Sequence, residues 1–115
     1  MAANPRRANG SARDKLRRRV LRDEDTCHLC DQGVDVTLPH GLPGSPEVDE
    51  LVPVTYGGDP LDRANTALAH RYCNRLRWHG PVALARQRLA AEPPRFGADG
   101  SLLDTTPTPV TSRRW

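Results

Sequence analysis

The apolar residues divide the chain into a few short elements separated by turn-rich stretches. Leu16, Val20 and Leu21 fall at i, i+4 and i+5 among arginines, and Ser11 stands where a cap would stand. This predicts a helix over about 12–24 with one narrow apolar stripe. Residues 25–33, DTCHLCDQG, read as a turn. VDVTL (34–38) alternates weakly and predicts a short strand, and PHGLPGSP (39–46) is a loop by its Pro and Gly content. EVDELVPV (47–54) is the strongest strand signal, cut by Pro53, which has no N–H for a ladder. TYGGDPLDRAN (55–65) is a loop, and TALAH (66–70) leads into a helix over 71–79. GPVALARQRLAAE (80–92) predicts another helix: Gly80 ends the one before, Pro81 suits a first turn, and Val82, Leu84, Ala85 and Leu89 give an apolar face. Residues 1–10, with Pro5, Asn9 and Gly10, predict disorder. The Pro- and Thr-rich residues 93–115 predict a flexible tail. One small domain, 11–92, lies between them.

Composition changes this picture in one respect. Only 37% of the 115 residues are hydrophobic and 4% aromatic, too little for a large core, so a staple such as a metal or a disulfide is expected. Charge adds a second point. Residues 1–22 hold eight basic side chains, Arg17 and Arg18 among them, against one acid, Asp14, whereas the whole chain is only +3. A basic arm on a nearly neutral or acidic body points to a polyanionic partner, with a merely solubilising helix face as the plainer reading. No apolar run approaches the ~20 residues of a membrane span, and the charged N-terminus lacks the apolar segment of a secretory signal.

The staple is readable in the cysteines. Three is an odd number for a disulfide framework and suits a reducing compartment. Cys27-x-x-Cys30 is followed, after 39 intervening residues, by His70-x-x-Cys73. Two such pairs can close a tetrahedral Cys3His zinc site, each supplying two ligands from one tight turn. A redox pair is the competing reading of Cys27 and Cys30 alone. His28, between two ligands, is expected to point outward.

With CHLC (27–30), VDELVPVTYGGDPLDRAN (48–65) and AHRYCNRLRW (69–78), the chain resembles the HNH endonucleases, specifically the short, zinc-containing kind common in phages and actinobacteria. The resemblance covers about residues 27–78. It implies an α+β protein with a small ββα-metal (HNH, or His-Me finger) fold, stapled by structural zinc and flanked by helices. Cys27, Cys30, His70 and Cys73 match the zinc ligands. Asp49 and Asn74 match the two positions that hold a catalytic divalent ion. Asn65 matches the central Asn that fixes the loop and orients the general base. Glu50 stands where the family has the general-base histidine.

The implied activity is metal-dependent hydrolysis of DNA phosphodiester bonds. Mg²⁺ or Mn²⁺ suits the oxygen donors, with Ni²⁺ or Zn²⁺ as further candidates. Glu, with an ordinary pKa of about 4.3, is a weaker base than His at about 6.5. Three roles for Glu50 therefore stay open: base, metal ligand, or the mark of an impaired site. The alternative function is a zinc-stabilised DNA-binding or assembly protein with an HNH fold and little activity. Arg71, Arg75 and Arg77, with Arg17 and Arg18 of the arm, are the expected DNA contacts. His40 is expected to be an exposed loop residue, His79 to project away from Asn74, and Tyr72 and Trp78 to pack against neighbouring elements. The implied setting is the cytoplasm of a bacterium or a phage-infected host, with phage packaging or recombination proteins as possible company.

Overall fold

A computed structural model describes residues 5–103, with side chains from residue 10 onward. It is a small α+β protein: helix α1 (Pro5–Asp23), strand β1 (Pro46–Glu50), strand β2 (Thr66–His70), helix α2 (Arg71–Arg77) and helix α3 (Val82–Ala91). Single 3-10 turns at Val54–Tyr56 and Arg63–Asn65 shape the long connection between the strands. No helix among the described residues is long and apolar enough to cross a membrane.

The core is one cluster around β2. Leu68 and Ala69 are completely buried, and Leu16, Val20, Leu29, Val34, Ala85 and Leu89 close around them. α1 contributes its second half, through Leu16 and Val20, while Arg13, Lys15, Arg18, Arg19 and Arg22 face solvent. The helix begins earlier than the pattern predicts. Pro5 is its first residue, where a missing N–H leaves no bond unmade, and Ser11 lies inside it rather than capping it. Residues 1–4 and 104–115, the outer parts of the predicted disordered ends, lie outside the described residues.

β1 and β2 pair antiparallel from Pro46↔His70 to Glu50↔Thr66. Pro46 sits at the strand start, where a residue without an N–H is tolerated. The outer edge of β2 is also covered. Glu24 Oε1 accepts from Leu68 N at 3.0 Å, and Leu68 O accepts from His28 N at 2.9 Å. The alternation in β1 is inverted from the usual one: Glu47 and Asp49 are buried, and Val48 and Glu50 only partly so. The acids lie on the face that meets the arginines of α2.

Three segments differ from the sequence expectation. VDVTL forms a turn, because Asp35 Oδ1 captures both the N–H and the hydroxyl of Thr37. TALAH is a strand, fully buried, rather than the approach to a helix. Residues 93–103 fold back as part of the domain. Phe96 bridges to Leu102, Gly44 N donates to Gly100 O at 2.8 Å, and Gln32 Nε2 donates to Pro94 O at 2.6 Å. Backbone bonds of that kind leave little trace in composition.

Candidate metal centre and the acidic cleft beside it

Cys27 and Cys30 lie on the turn after α1, His70 is the last residue of β2, and Cys73 is in the first turn of α2. The two pairs meet: the donor atoms of Cys27, Cys30, His70 and Cys73 all lie within 4.8 Å of one another. His70 Nε2 donates to Gly33 O at 2.9 Å, which fixes the tautomer and turns the Nδ1 lone pair toward the sulfurs, 3.3 Å from Cys30 and 3.8 Å from Cys73. Phe96 stacks on the imidazole with ring centroids 4.2 Å apart.

The ionisable groups of this cluster act strongly on one another. Burial works against a charged His70, but hydrogen bonds and charge from Cys27 and Cys30 outweigh it and raise the imidazole to about 9. Hydrogen bonds from Cys30 and Cys73 hold the Cys27 thiol far below its ordinary value, and the same contacts with Cys27 and Cys30 push Cys73 far up. Three soft sulfurs and one oriented imidazole, mostly buried, can hold a metal such as zinc.

The second arrangement lies on the other side of β1. Asp49 is 6% exposed and does not stand free. Arg77 Nη1 donates to both its oxygens, at 2.9 and 2.8 Å, and His28 Nε2 lies 2.7 Å from Oδ2. Arg77 also donates to the carbonyls of Glu50 and Leu51. Arg86 of α3 donates to His28 O at 2.8 Å and points a second donor at Nδ1, so Nε2 carries the hydrogen given to Asp49. Arg77 is therefore not available to DNA as the sequence reading expected; it is buried as the partner of Asp49.

Asn74 Nδ2 donates to Glu47 Oε1 at 2.9 Å. That carboxylate fixes the amide, since the flipped form would set oxygen against oxygen, and among the described residues no group donates to Asn74 Oδ1. Arg71 and Arg75 also pair with Glu47, at 3.2 and 3.6 Å. Arg75 remains more than half exposed, whereas Arg17 donates to Pro46 O at 3.2 Å and Arg18 is exposed.

Asn65 clasps the loop between the strands. Its Oδ1 accepts from Val52 N, and its Nδ2 donates to Val52 O and Asp59 O at 3.0 and 3.1 Å. The Gly-Gly pair serves the same closure. Gly57 turns at φ 91°, and a Cβ on Gly58 would sit 1.7 Å from Val52 O, so only glycine allows the approach. Glu50 Oε1 accepts from Val54 N at 3.3 Å at the start of that loop.

Asp49, Glu50, Asn74 and His79 line one open cleft of about 190 Å³, with Pro53 and Trp78 on its wall. His79 reaches it because Trp78 leaves the helix at φ 56°, a conformation that costs an ordinary residue about 1–3 kcal/mol. A positive φ on tryptophan carries no signature in the sequence, so His79 was misplaced there. His28 was misplaced too, although its position inside the knuckle was a usable signal. Arg77 carried another: it lies three residues beyond Asn74, on the same helix face.

The cleft's fit to a divalent ion rests on its oxygens. A carboxylate accepts about four hydrogen bonds, and Arg77 and His28 take three at Asp49, which lines the cleft together with Asn74. Carboxylate and amide oxygens are hard donors, and the charge of Arg77 competes with any cation beside Asp49. No family model matches the chain, and comparisons with curated proteins and with solved structures give no match either.

Proposed function

We propose that the chain is a metal-dependent DNA endonuclease of the HNH type, with β1, β2 and α2 as a ββα-metal unit and zinc on the Cys3His group. The observation that carries this reading is the convergence of Asp49, Glu50 and Asn74 on one cleft, next to the Cys3His cluster. In this reading a divalent ion held by Asp49 and Asn74 supplies Lewis-acid stabilisation of the phosphate and of the leaving 3′ oxygen.

The chain's own residues do the rest. Arg77 and His28 hold the Asp49 carboxylate still, and Glu47 holds the Asn74 amide by its Nδ2 so that the oxygen is the free end. Asn65 keeps the β1–β2 loop shut at the cleft's edge. Two groups on the wall can take the proton of the attacking water: the carboxylate of Glu50, the residue in the base position, and the imidazole of His79. DNA phosphates meet the exposed arginines of α1 and Arg75, which gives salt-sensitive, sequence-independent affinity. The products carry 5′-phosphate and 3′-hydroxyl ends.

The Arg77 clamp favours a second reading, a zinc-stabilised DNA-binding or assembly protein in which an internal guanidinium already neutralises Asp49. Plasmid nicking by zinc-loaded protein with added Mg²⁺, Mn²⁺ or Ni²⁺ separates the two. Nicking that is lost in Asn74→Ala upholds the nuclease. Retained DNA binding with no nicking, but nicking by Glu50→His, establishes the second reading. Within the nuclease reading, the base is whichever of His79→Gln and Glu50→Gln lowers the neutral-pH rate by about 10²–10⁴.

A further inference from the structure

We propose that Cys30 is a reversible oxidation site: a peroxide converts it to a sulfenic acid, which closes a disulfide with Cys27 and withdraws two sulfurs from the metal centre. The proposal rests on the part of the reading above that puts zinc on the Cys3His group, but not on DNA cleavage. Cys27 and Cys73 are both 0% exposed, whereas Cys30 is only partly buried. A thiol that coordinates a metal is deprotonated, and oxidation follows thiolate character together with access. Cys30 is the sulfur of the cluster that combines the two.

The turn selects the second sulfur. Cys27 N donates to Gln32 O and Asp31 N donates to Cys27 O, both at 2.9 Å, so Cys27 and Cys30 share one closed loop. A bond between them is reached by adjusting that loop alone. A bond to Cys73, in the first turn of α2, has to draw two elements together. In the first step the Cys30 sulfur attacks one peroxide oxygen, the O–O bond breaks and hydroxide leaves. The sulfur has then given up two electrons and carries the new S–O bond. The Cys27 thiolate attacks that sulfur, the S–S bond forms, and the S–O bond breaks with loss of a second hydroxide. Two thiolates are oxidised to one disulfide, and the peroxide is reduced to two hydroxides, water once protonated. His70 and Cys73 remain, too few donors for a closed tetrahedral site. His28 lies between the two oxidised residues and holds Asp49 at 2.7 Å, so closing the turn also acts on the cleft.

The test uses the full wild-type chain, so no variant has to fold. Trypsin leaves Cys27 and Cys30 together in peptide 23–63 and Cys73 alone in peptide 72–75, so mass spectrometry tells the two disulfides apart. Zinc-loaded protein is treated with less than one equivalent of hydrogen peroxide, and released metal is read with a chromogenic chelator. The expected result is a 23–63 peptide lighter by two hydrogens, with Cys73 still open to alkylation after denaturation. One zinc should be released for each disulfide, and dithiothreitol should restore zinc binding. Dimedone present during the oxidation should trap Cys30 about tenfold more than Cys27 or Cys73. A disulfide joining 23–63 to 72–75, dimedone chiefly on Cys27 or Cys73, zinc loss without a disulfide, or a cluster untouched by excess peroxide would overturn the proposal. A chain that takes up no zinc overturns the metal reading and the proposal together; a zinc-loaded chain whose peptide map fails overturns the proposal alone.

Discussion

The Cys3His group and the Asp49 cleft lie on either side of the same short hairpin, and they treat their polar atoms in opposite ways. At the first, four donors face one another across less than 4.8 Å, oriented only from behind, by Gly33 and Phe96. At the second, the central carboxylate is already answered by a buried guanidinium and an imidazole. The first group offers four donors converging on one point, as a metal ion such as zinc would use them; the carboxylate of the second is already paired by the chain itself. Donor type alone therefore does not rank metal sites, because the partners behind the donors decide how strongly a cation is wanted.

The largest expected effect falls on the metal side. Strong chelators, or Cys73→Ala, should unfold the domain, since structural zinc in small domains contributes about 10–16 kcal/mol of apparent binding free energy. Metal analysis should give one tightly held zinc per chain, and a chain that keeps its circular dichroism in chelator would erase the contrast.

Next comes Arg77→Gln, which strips Asp49 of its buried partner. Losing one side of a buried ion pair costs about 3–5 kcal/mol, to be read in denaturant melts. The same variant should bind Mn²⁺ more tightly than the wild type in calorimetry, because a competing cation has gone. Asn65→Ala should destabilise by about 1–2 kcal/mol and raise amide exchange in the loop around Val52 and Asp59, leaving metal content unchanged. Smallest is Phe96→Leu, which removes the ring stacked on His70. A loss of about 0.5–1.5 kcal/mol is expected, seen as faster zinc release to a competing chelator.

What was legible in the sequence was what depends on spacing. Cys27-x-x-Cys30 and His70-x-x-Cys73 converge as their spacing implied, and α3 lies within the segment its apolar face marked out. β1 was seen, though it stops at Glu50, ahead of Pro53. What escaped depends on tertiary neighbours. The buried acids of β1 look like a solvated face until Arg71, Arg75 and Arg77 are set against them. Residues 93–103 look like a tail because their bonds to Gln32 and Gly44 are made by backbone groups that any residue offers. His28 was expected to point outward, and only the fold of the knuckle over β1 turns it to Asp49.

The placement of the four metal ligands also has a consequence for the order in which the molecule assembles. Cys30 and His70 are forty residues apart in sequence, and Asp49, Glu50 and Asn65 lie between them. Joining the two ends of so long a segment carries an entropic penalty that a chain with this small a core repays slowly. An ion held by all four residues would tie the segment off in a single event and leave the strands to register inside a closed ring. If zinc fills this site, folding should be paced by metal supply, with the chain open to proteolysis while it waits, so that the amount of available zinc sets how much of the protein persists.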